Sequence, residues 1–391
     1  MQIQEIDTDY LQSTLETLLS IPSPSGYTDQ IARWCGEELG RLGVEYELTR
    51  RGAIRARVKG RSDKPARAII AHIDTLGAQV ARLKENGRVS VVPVGHWSSR
   101  FAEGARCTLF TRQGSYRGTI LPLKASGHVY GDEIDTQETS WDHVELRLDI
   151  AVHDAEGLHS HGIATGDFIG IDPQPEFLES GYIVSRHLDD KAGVAAIFAV
   201  LKAIAESGEI PAVDTLFLFS ISEEIGVGAS SILTHDVASM IAVDNGACAP
   251  GQNSRETGVT LGMADMTGPF DYHLTNKLVD LCEAGGIPYQ RDVFRQYRSD
   301  NASAIEGGAD VRTALVTFGI DASHGYERVH MNALQSVARL LMAYTASPVK
   351  ISRDAEPAGD LEGFTDQPVE PAEADDAEEG AEHLFGDMPV S

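Results

Sequence analysis

Histidine and acidic side chains recur in this sequence where an apolar run ends or a helical pattern begins. They are His72 and Asp74 in AHIDTLG, Asp189 and Asp190 in HLDDKAG, Glu223 and Glu224 in SEEIG, Asp244 in AVDNG, and His324 in ASHGYERVH. Unpaired carboxylates are costly in apolar surroundings, so something positive should lie opposite them. Imidazole and carboxylate groups together are typical ligands of divalent metal ions. The pattern therefore predicts a metal-dependent site.

The double acid of SEEIG indicates how many ions such a site would hold. Glu223 and Glu224 follow the apolar run TLFLFSIS directly, where a solvated acidic pair is unusual. Two divalent ions bring four positive charges, against three negative charges from Asp189, Asp244 and Glu224, and a bridging hydroxide would make the site neutral. Glu223 is then left for a water molecule. We therefore expect two divalent ions per subunit, and zinc, cobalt or manganese would suit such ligands.

Each motif alone also has a structural explanation. A histidine and an acid two residues apart on a strand are usually structural, and paired aspartates before a helix usually cap it. The hypothesis depends on all the motifs occurring together, each at the boundary of a strand or a helix.

The elements that would position these residues form an α/β pattern. Strand-like and helical runs alternate before residue 78 and again after residue 172, which predicts a mostly parallel sheet flanked by helices. Short alternating runs separated by Gly, Ser and Asn occupy residues 78–172 and predict an inserted small all-β domain. The catalytic domain would then be discontinuous, over residues 1–77 and 173–350. Residues 351–391 are rich in acids, Ala and Pro and predict a disordered acidic tail.

Composition excludes several classes of protein. The net charge is -27, with a pI of about 4.8, which argues against binding to nucleic acid or to an anionic membrane. No run approaches the roughly 18 apolar residues of a membrane span, and the N-terminus has no apolar signal core. The four cysteines are scattered, as expected of reduced thiols in a cytoplasmic protein.

The motifs, taken in order, resemble those of the tetrahedral and glutamyl aminopeptidases, which are dinuclear metallopeptidases. The resemblance covers roughly residues 8–345 and rests on AHIDTLG, LDDKAGVAA, SEEIGVGA, AVDNG, GIPYQRDV and DNASAIEGGADV. It implies that His72 and Asp244 hold one metal, that Glu224 and His324 hold the other, and that Asp189 bridges both. Two further roles follow from it: Asp74 would orient His72, and Glu223 would be the general base.

The resemblance also implies features of geometry and assembly. Related enzymes have a cis peptide between the two acids of the LDD motif, so we expect one at Asp189–Asp190. Their β domain drives dimerisation within larger cages. A homo-oligomer, from dimer to dodecamer, is therefore expected through the insertion.

Several positions depart from the family pattern. Thr75 stands where an acid is usual, and Lys191 where an arginine is common. The Pro-Arg-Tyr approach to the final histidine is absent, so His324 is the first ligand candidate and His330 the second. These departures indicate a divergent branch of the family with a different substrate. The sequence resembles a branch found in bacterial clusters that make the osmoprotectant N-acetylglutaminylglutamine amide.

The predicted activity is metal-assisted hydrolysis of amide bonds in short peptides, with release of N-terminal residues. One alternative is a deacylase or amidohydrolase acting on N-acylated amino acids or dipeptides, which could use the same centre. A second is a metal-binding assembly subunit without activity. The complete set of seven residues argues against the second, because an inactive copy has no need of Glu223.

Overall fold

The structure is a computed structural model that describes residues 5–233 and 237–369. The first part of the chain contains α1 (Thr8–Ser20), α2 (Asp29–Arg41), β1 (Glu45–Leu48), β2 (Ile54–Val58) and β3 (Ala66–His72). The second contains β4 (Gly77–Leu83), β5 (Val89–Val94), β6 (Arg106–Phe110), β7 (Ser115–Pro122), α3 (Gly127–Tyr130), β8 (Val144–Leu148), α4 (Ala155–Ser160) and β9 (Phe168–Ile171). The third contains β10 (Glu176–Phe177), β11 (Tyr182–Ser185), α5 (Leu188–Ser207), β12 (Thr215–Ser220), β13 (Val237–Cys248), β14 (Val259–Asp265), β15 (Gly268–Pro269), α6 (Tyr272–Gly285), β16 (Tyr289–Val293), α7 (Asp300–Glu306), β17 (Arg312–Asp321), β18 (Glu327–His330) and α8 (Met331–Ala346).

The larger part of the molecule is built on a mixed sheet. Among the described residues, 12 strands join in it, and the main path runs β1-β2-β12-β3-β13-β17-β18-β11-β10. The four central strands β12, β3, β13 and β17 are mutually parallel, and strands on both sides of them pair antiparallel. Their carboxyl ends therefore meet at one edge of the sheet, where open α/β sheets bind ligands.

The second part of the chain forms a separate antiparallel barrel. Strands β4 to β9 close in the order β4-β5-β8-β7-β6-β9. The barrel has its own apolar interior, and a second, larger core lies between the main sheet and its helices. The described residues of this part also contain the short α-helices α3 and α4 and three short 3-10 helices. The barrel contacts the larger part of the molecule at Tyr27, whose ring stacks on Phe110 at 4.8 Å between centroids.

Helix α5 shows how the sequence builds the larger core. Its residues from Leu188 to Val200 are all buried, which fits its nearly continuous apolar sequence. It packs against β3 and β13 and is covered by α1 and α8. The buried Lys191 Nζ donates to the carbonyls of Leu18 and Ile21 at the end of α1, at 2.9 and 2.6 Å. The departure from the family at this position thus has a structural use.

The expected α/β fold with an inserted β domain is confirmed, and one detail differs. Asp244 was expected just after a short strand, but β13 continues to Cys248 and Asp244 lies within it. Residues 370–391 of the predicted acidic tail lie outside the described residues. In the described part of that tail, Asp354 forms an ion pair with Arg312 at 2.9 Å. No helix of the described residues combines the length and the apolar character needed to cross a membrane.

Candidate metal centre

His72 lies at the carboxyl end of β3 and is 1% exposed. Its Nδ1 lies 2.9 Å from the carbonyl oxygen of Asp74. Because a carbonyl only accepts, Nδ1 carries a proton, and Nε2 is left to face the carboxylates. Nε2 lies 3.0 Å from Asp189 Oδ1 and 3.8 Å from Glu223 Oε2.

The carboxylate of Asp74 holds the turn that carries the two glutamates. Its oxygens accept hydrogen bonds from the backbone N–H groups of Glu223 and Glu224, at 3.1 and 3.4 Å, and from the hydroxyl of Ser25. The backbone carbonyl of Asp74 therefore orients His72, and the carboxylate of Asp74 positions Glu223 and Glu224. This second task was not foreseen from the sequence.

Asp189 lies between the two histidines at the centre of the cluster. Its Oδ1 faces His72 Nε2 at 3.0 Å, and its Oδ2 faces His324 Nε2 at 3.3 Å. The Asp189–Asp190 peptide is cis, as expected. Asp190 points elsewhere, and its Oδ2 accepts a hydrogen bond from the backbone N–H of His72 at 3.1 Å.

His324 joins the cluster and His330 does not. His324 Nε2 lies 3.8 Å from Glu224 Oε2, in addition to its contact with Asp189. The ring of His330 instead accepts from the backbone N–H of Asn332 at the start of α8, with its Nε2 at 3.1 Å from the carbonyl of Ser180.

Two overlapping groups in the described part of the chain have ligand atoms that lie within 4.8 Å of one another. One is His72, Asp189 and Glu224, and the other is His72, Glu223 and Asp244. Each combines imidazole nitrogen with carboxylate oxygen, the donor set of borderline divalent ions. Asp244 thus lies on the same side of the cluster as Glu223, and Glu224 lies with His324.

The electrostatics of the cluster favour the binding of cations. Burial, reinforced by neighbouring carboxylates, raises the pKa of Glu223 and of Glu224 well above the ordinary value and that of Asp244 to about 7. Burial opposes the protonation of His324, but Asp189 and Glu224 outweigh it and raise its pKa to about 10. In the described residues, His72 pairs with Asp189 and Glu223, and His324 pairs with Asp189 and Glu224. Divalent ions would supply positive charge to these buried carboxylates.

A cavity of about 930 Å³ opens on the cluster. Asp189, Glu223, Glu224, Asp244 and His324 line its inner end. Its other walls are formed mainly by Asn245, Phe294, Arg295, Tyr297, Arg298 and, from the insertion, His96. Burial and the nearby acids raise the pKa of Tyr297 well above its usual value, so it stays a neutral phenol.

The sequence did not predict a role for three residues of the site. Glu327 is 2% exposed and accepts from the backbone N–H groups of His324, at 2.9 Å, and of Asp189, at 3.2 Å. Asn245 donates to Asp189 Oδ2 at 2.6 Å. The sequence signal for Glu327 and Asn245 was their position beside the predicted ligands His324 and Asp244. Tyr297 had none, because it comes from an irregular segment between β16 and α7.

Residues 52–340 match the model of the M42 glutamyl aminopeptidase family. This chain belongs to that family. The Bacillus subtilis protein YhfE, which has a provisional aminopeptidase name, is 39% identical over 337 residues, or 86% of this chain and 97% of the relative. The glutamyl aminopeptidase of Lactococcus lactis is 26% identical over 222 residues, or 56% of this chain and 61% of the relative.

Solved structures of TET peptidases share the fold. The Pyrococcus horikoshii TET1 peptidase, which can assemble into a tetrahedron or a large octahedral shell, has a TM-score of 0.75 at 23% identity and covers 86% of this chain and 99% of its own. A TET aminopeptidase from a marine sediment thaumarchaeon has a TM-score of 0.78 at 17% identity and covers 86% and 96%. The family model and the aminopeptidase relatives show that this M42 chain is an aminopeptidase, a hydrolase that acts on peptide bonds. The family is metal-dependent, in keeping with the cluster.

Proposed function

We propose that this M42 enzyme uses two divalent ions to release N-terminal residues from short peptides. His72 and Asp244 would hold one ion, Glu224 and His324 the other, and Asp189 both. One observation carries the proposal. The two carboxylate oxygens of Asp189 face the Nε2 atoms of two different histidines, at 3.0 and 3.3 Å.

The ligand set suits zinc, cobalt or manganese. When bound, such ions would polarise the scissile carbonyl and make an attacking water more acidic. The chain would hold them through side chains that are already oriented. The proton on His72 Nδ1 is fixed by the carbonyl of Asp74, and this leaves Nε2 as the free donor atom.

Glu223 would move the proton. Its carboxylate lines the cavity and lies 3.8 Å from His72 Nε2, and its backbone N–H is held by Asp74 at 3.1 Å. A carboxylate in this position suits uptake of a proton from a water molecule beside the ligands. The same carboxyl group would then deliver that proton to the leaving amine.

The substrate would be a short peptide with a free N-terminus. A cavity of about 930 Å³ accommodates a few residues but not a folded chain. The deacylase alternative would use the same cluster on an acylated nitrogen. A panel of free and N-acetylated dipeptides, assayed with zinc, cobalt and manganese, separates the two. If the enzyme hydrolyses the N-acetylated dipeptides faster than the free ones, the proposal that its substrates have a free N-terminus is refuted.

The two glutamates provide the test of the centre itself. Glu224→Gln removes a proposed ligand, so bound metal and thermal stability should both fall, because metal stabilises only the folded state. Glu223→Gln should keep the metal and near-normal substrate affinity while turnover falls by about 10²- to 10⁴-fold. Metal content by mass spectrometry, thermal melting and steady-state kinetics measure these quantities.

The division of roles fails on either of two results. One is full activity in Glu223→Gln. The other is full metal content in both variants with only activity reduced. An exchange of the two phenotypes would keep the metal centre and reverse the roles of Glu223 and Glu224.

Assembly and location complete the proposal. Val92, Val129 and Tyr130 are exposed apolar side chains of the insertion, 45%, 73% and 38% exposed. Such residues suit an interface between copies of the chain, from a dimer up to a dodecamer. Light scattering that reports only monomer would refute this. A cytoplasmic location and the osmoprotectant branch remain predictions of the sequence.

A further inference from the structure

A second cavity lies at the opposite edge of the main sheet from the metal centre. Its volume is about 380 Å³, and its wall includes Arg67 of β3 and Lys277 of α6. Arg67 lies near the amino end of β3, and His72 lies at the carboxyl end of the same strand. At about 3.3 Å per residue, the strand sets these two positions about 17 Å apart. The second cavity is therefore separate from the catalytic one.

Arg67 and Lys277 are buried cations whose hydrogen bonds go only to neutral oxygens. They are 3% and 8% exposed. Arg67 Nη1 donates to the carbonyl of Tyr344 at 2.7 Å and to the hydroxyl of Ser347 at 3.4 Å. Lys277 Nζ donates to the carbonyl of Pro348 at 2.7 Å. Among the described residues, no carboxylate forms an ion pair with either cation.

The two cations lie beside one aromatic ring. Arg67 Cζ is 4.8 Å and Lys277 Nζ is 5.4 Å from the centroid of the Tyr344 ring. Cation–π contacts are worth about 0.5–2 kcal/mol each, which is less than the cost of burying a charge without a counter-ion. Arginine keeps its proton in proteins, so the charge of Arg67 persists. Burial, followed by repulsion from Arg67 and Lys350, accordingly lowers the pKa of Lys277 to about 7.

Both cations have N–H groups left for a ligand. Nε and Nη2 of Arg67 have no partner in the described part of the chain, and neither atom is fully sealed from solvent. Lys277 Nζ carries three donors when protonated and uses one of them on Pro348. The cavity thus brings unused donors of two positive groups to one enclosed space.

We propose that this cavity binds a small anion, with phosphate or carboxylate oxygens held by Arg67 and Lys277. Such oxygens form short, charge-assisted hydrogen bonds with guanidinium and ammonium groups. Lys350 also lines the cavity and adds positive charge there, although it pairs with Asp280 at 2.7 Å. The anion would provide the negative charge that the two buried cations lack.

The acidic tail of the chain is another source of carboxylates. Its residues 363–366 line the same cavity, and Asp366 is one of them. Among the described residues, however, Asp366 forms no ion pair with Arg67 or Lys277. The described part of the tail therefore passes along the cavity without neutralising either cation, which favours a free ligand.

Calorimetry with inorganic phosphate and with succinate tests the proposal on the metal-loaded protein at constant ionic strength. At least one of these anions should bind and raise the melting temperature, because it stabilises the folded state. Lys277→Met should weaken that binding about 10- to 100-fold, the usual cost of a hydrogen bond between charged groups. Lys277→Arg keeps the charge and should retain the binding.

Further variants make the result specific. Lys277→Gln is a second neutral variant that keeps a donor for the carbonyl of Pro348, and it should show the same loss as Lys277→Met. Lys124→Met is the control, because Lys124 is a lysine of the barrel that pairs with Glu133. It should bind the anion like the wild-type protein. So should a chain in which the acids of residues 370–391 are replaced by Gln and Asn.

Three results would overturn the proposal. The first is a wild-type protein that binds neither anion. The second is undiminished binding by the folded neutral variants of Lys277, which would place the anion elsewhere, for example on the metal ions. The third is binding that appears only after the acids of residues 370–391 are replaced, which would show that the tail itself fills the cavity.

Discussion

The carbonyl oxygen of His96 lies 2.9 Å from Nδ1 of His324, so the inserted barrel contacts a residue of the candidate metal centre directly. Because a carbonyl can only accept, this contact requires a proton on Nδ1 and leaves Nε2 for the cluster. His324 itself has a positive φ of 64°, and Ala322 one of 60°, in the loop after β17. The barrel therefore stabilises an unfavourable loop conformation and sets the tautomer of the histidine.

Replacing His324 and His330 in turn should show which of the two histidines is a metal ligand. His324→Ala should lose part of the bound metal. Its activity should fall by more than about 100-fold, because the loss of a residue that only supports a metal ligand typically costs about 10- to 100-fold. His330→Asn is the matched control, because asparagine retains the cap at the start of α8 and His330 lies outside the cluster. It should keep its metal and its activity. Metal loss in the His330 variant alone would reverse the assignment.

Glu327 should act as a positioning residue for two ligands at once. Its two oxygens accept from the backbone N–H groups of His324 and Asp189, so Glu327→Gln leaves one of these buried donors facing an NH₂ group. We expect a loss of about 1–3 kcal/mol in the free energy of unfolding. Metal affinity should also fall, by about 10- to 100-fold. Chemical denaturation and metal titration measure the two effects.

The control for this variant lies on the surface beside it. Glu256 pairs with the exposed Arg328 at 2.6 Å, and Glu256→Gln makes the same chemical change there. Its effect on stability should stay below about 1 kcal/mol, with unchanged metal affinity. Similar metal affinities for the two variants would show that Glu327 does not position the ligands.

The loop that carries the two glutamates should not tolerate a side chain at Gly228. A Cβ there would overlap Asp300 Oδ1, and Asp300 holds Ser220 at the end of β12 through a hydrogen bond of 2.5 Å. Gly228→Ala should cost about 1–3 kcal/mol in stability, as overpacking does, and lower activity as well. Gly40→Ala is the control. Among the described residues, no atom lies within 4 Å of a Cβ placed at Gly40, on the exposed side of α2. Alanine should therefore stabilise that helix by about 0.5–1 kcal/mol.

A buried lysine far from the cavity should make stability depend on pH. Lys277 is 8% exposed, and burial, followed by repulsion from Arg67 and Lys350, lowers its pKa from 10.5 to about 7. Between these two values the unfolded chain holds a proton that the folded protein has released. The free energy of unfolding should therefore rise as pH increases from about 7 to 10.5.

Lys277→Met removes that proton from both states. Urea denaturation at several pH values in this window should show a flatter profile for the variant than for the wild-type protein. Lys124→Met, at an exposed lysine that pairs with Glu133 on the barrel, should leave the slope unchanged. An identical slope in wild type and Lys277→Met would contradict the prediction.

Much of the fold and of the cluster could be read from local sequence. His72 and the pair Glu223–Glu224 follow apolar runs, and the ends of parallel strands share one edge of a sheet, so their convergence was predictable. The short alternating apolar and polar runs of residues 78–172 likewise indicated an inserted β domain. The ordered motifs were sufficient to identify the family, because their order and spacing are properties of the chain itself.

Only the tertiary structure decided which side chains meet. HGYERVH offers two histidines six residues apart, and the sharp loop at His324, held by Glu327 and His96, brings one of them to Asp189. The amide of Asn245 gained its orientation in the same way, from carboxylates on β13 and at the start of α5. Such contacts join segments that are distant along the chain. They depend on packing and on buried hydrogen bonds, and neither residue type nor local spacing encodes them.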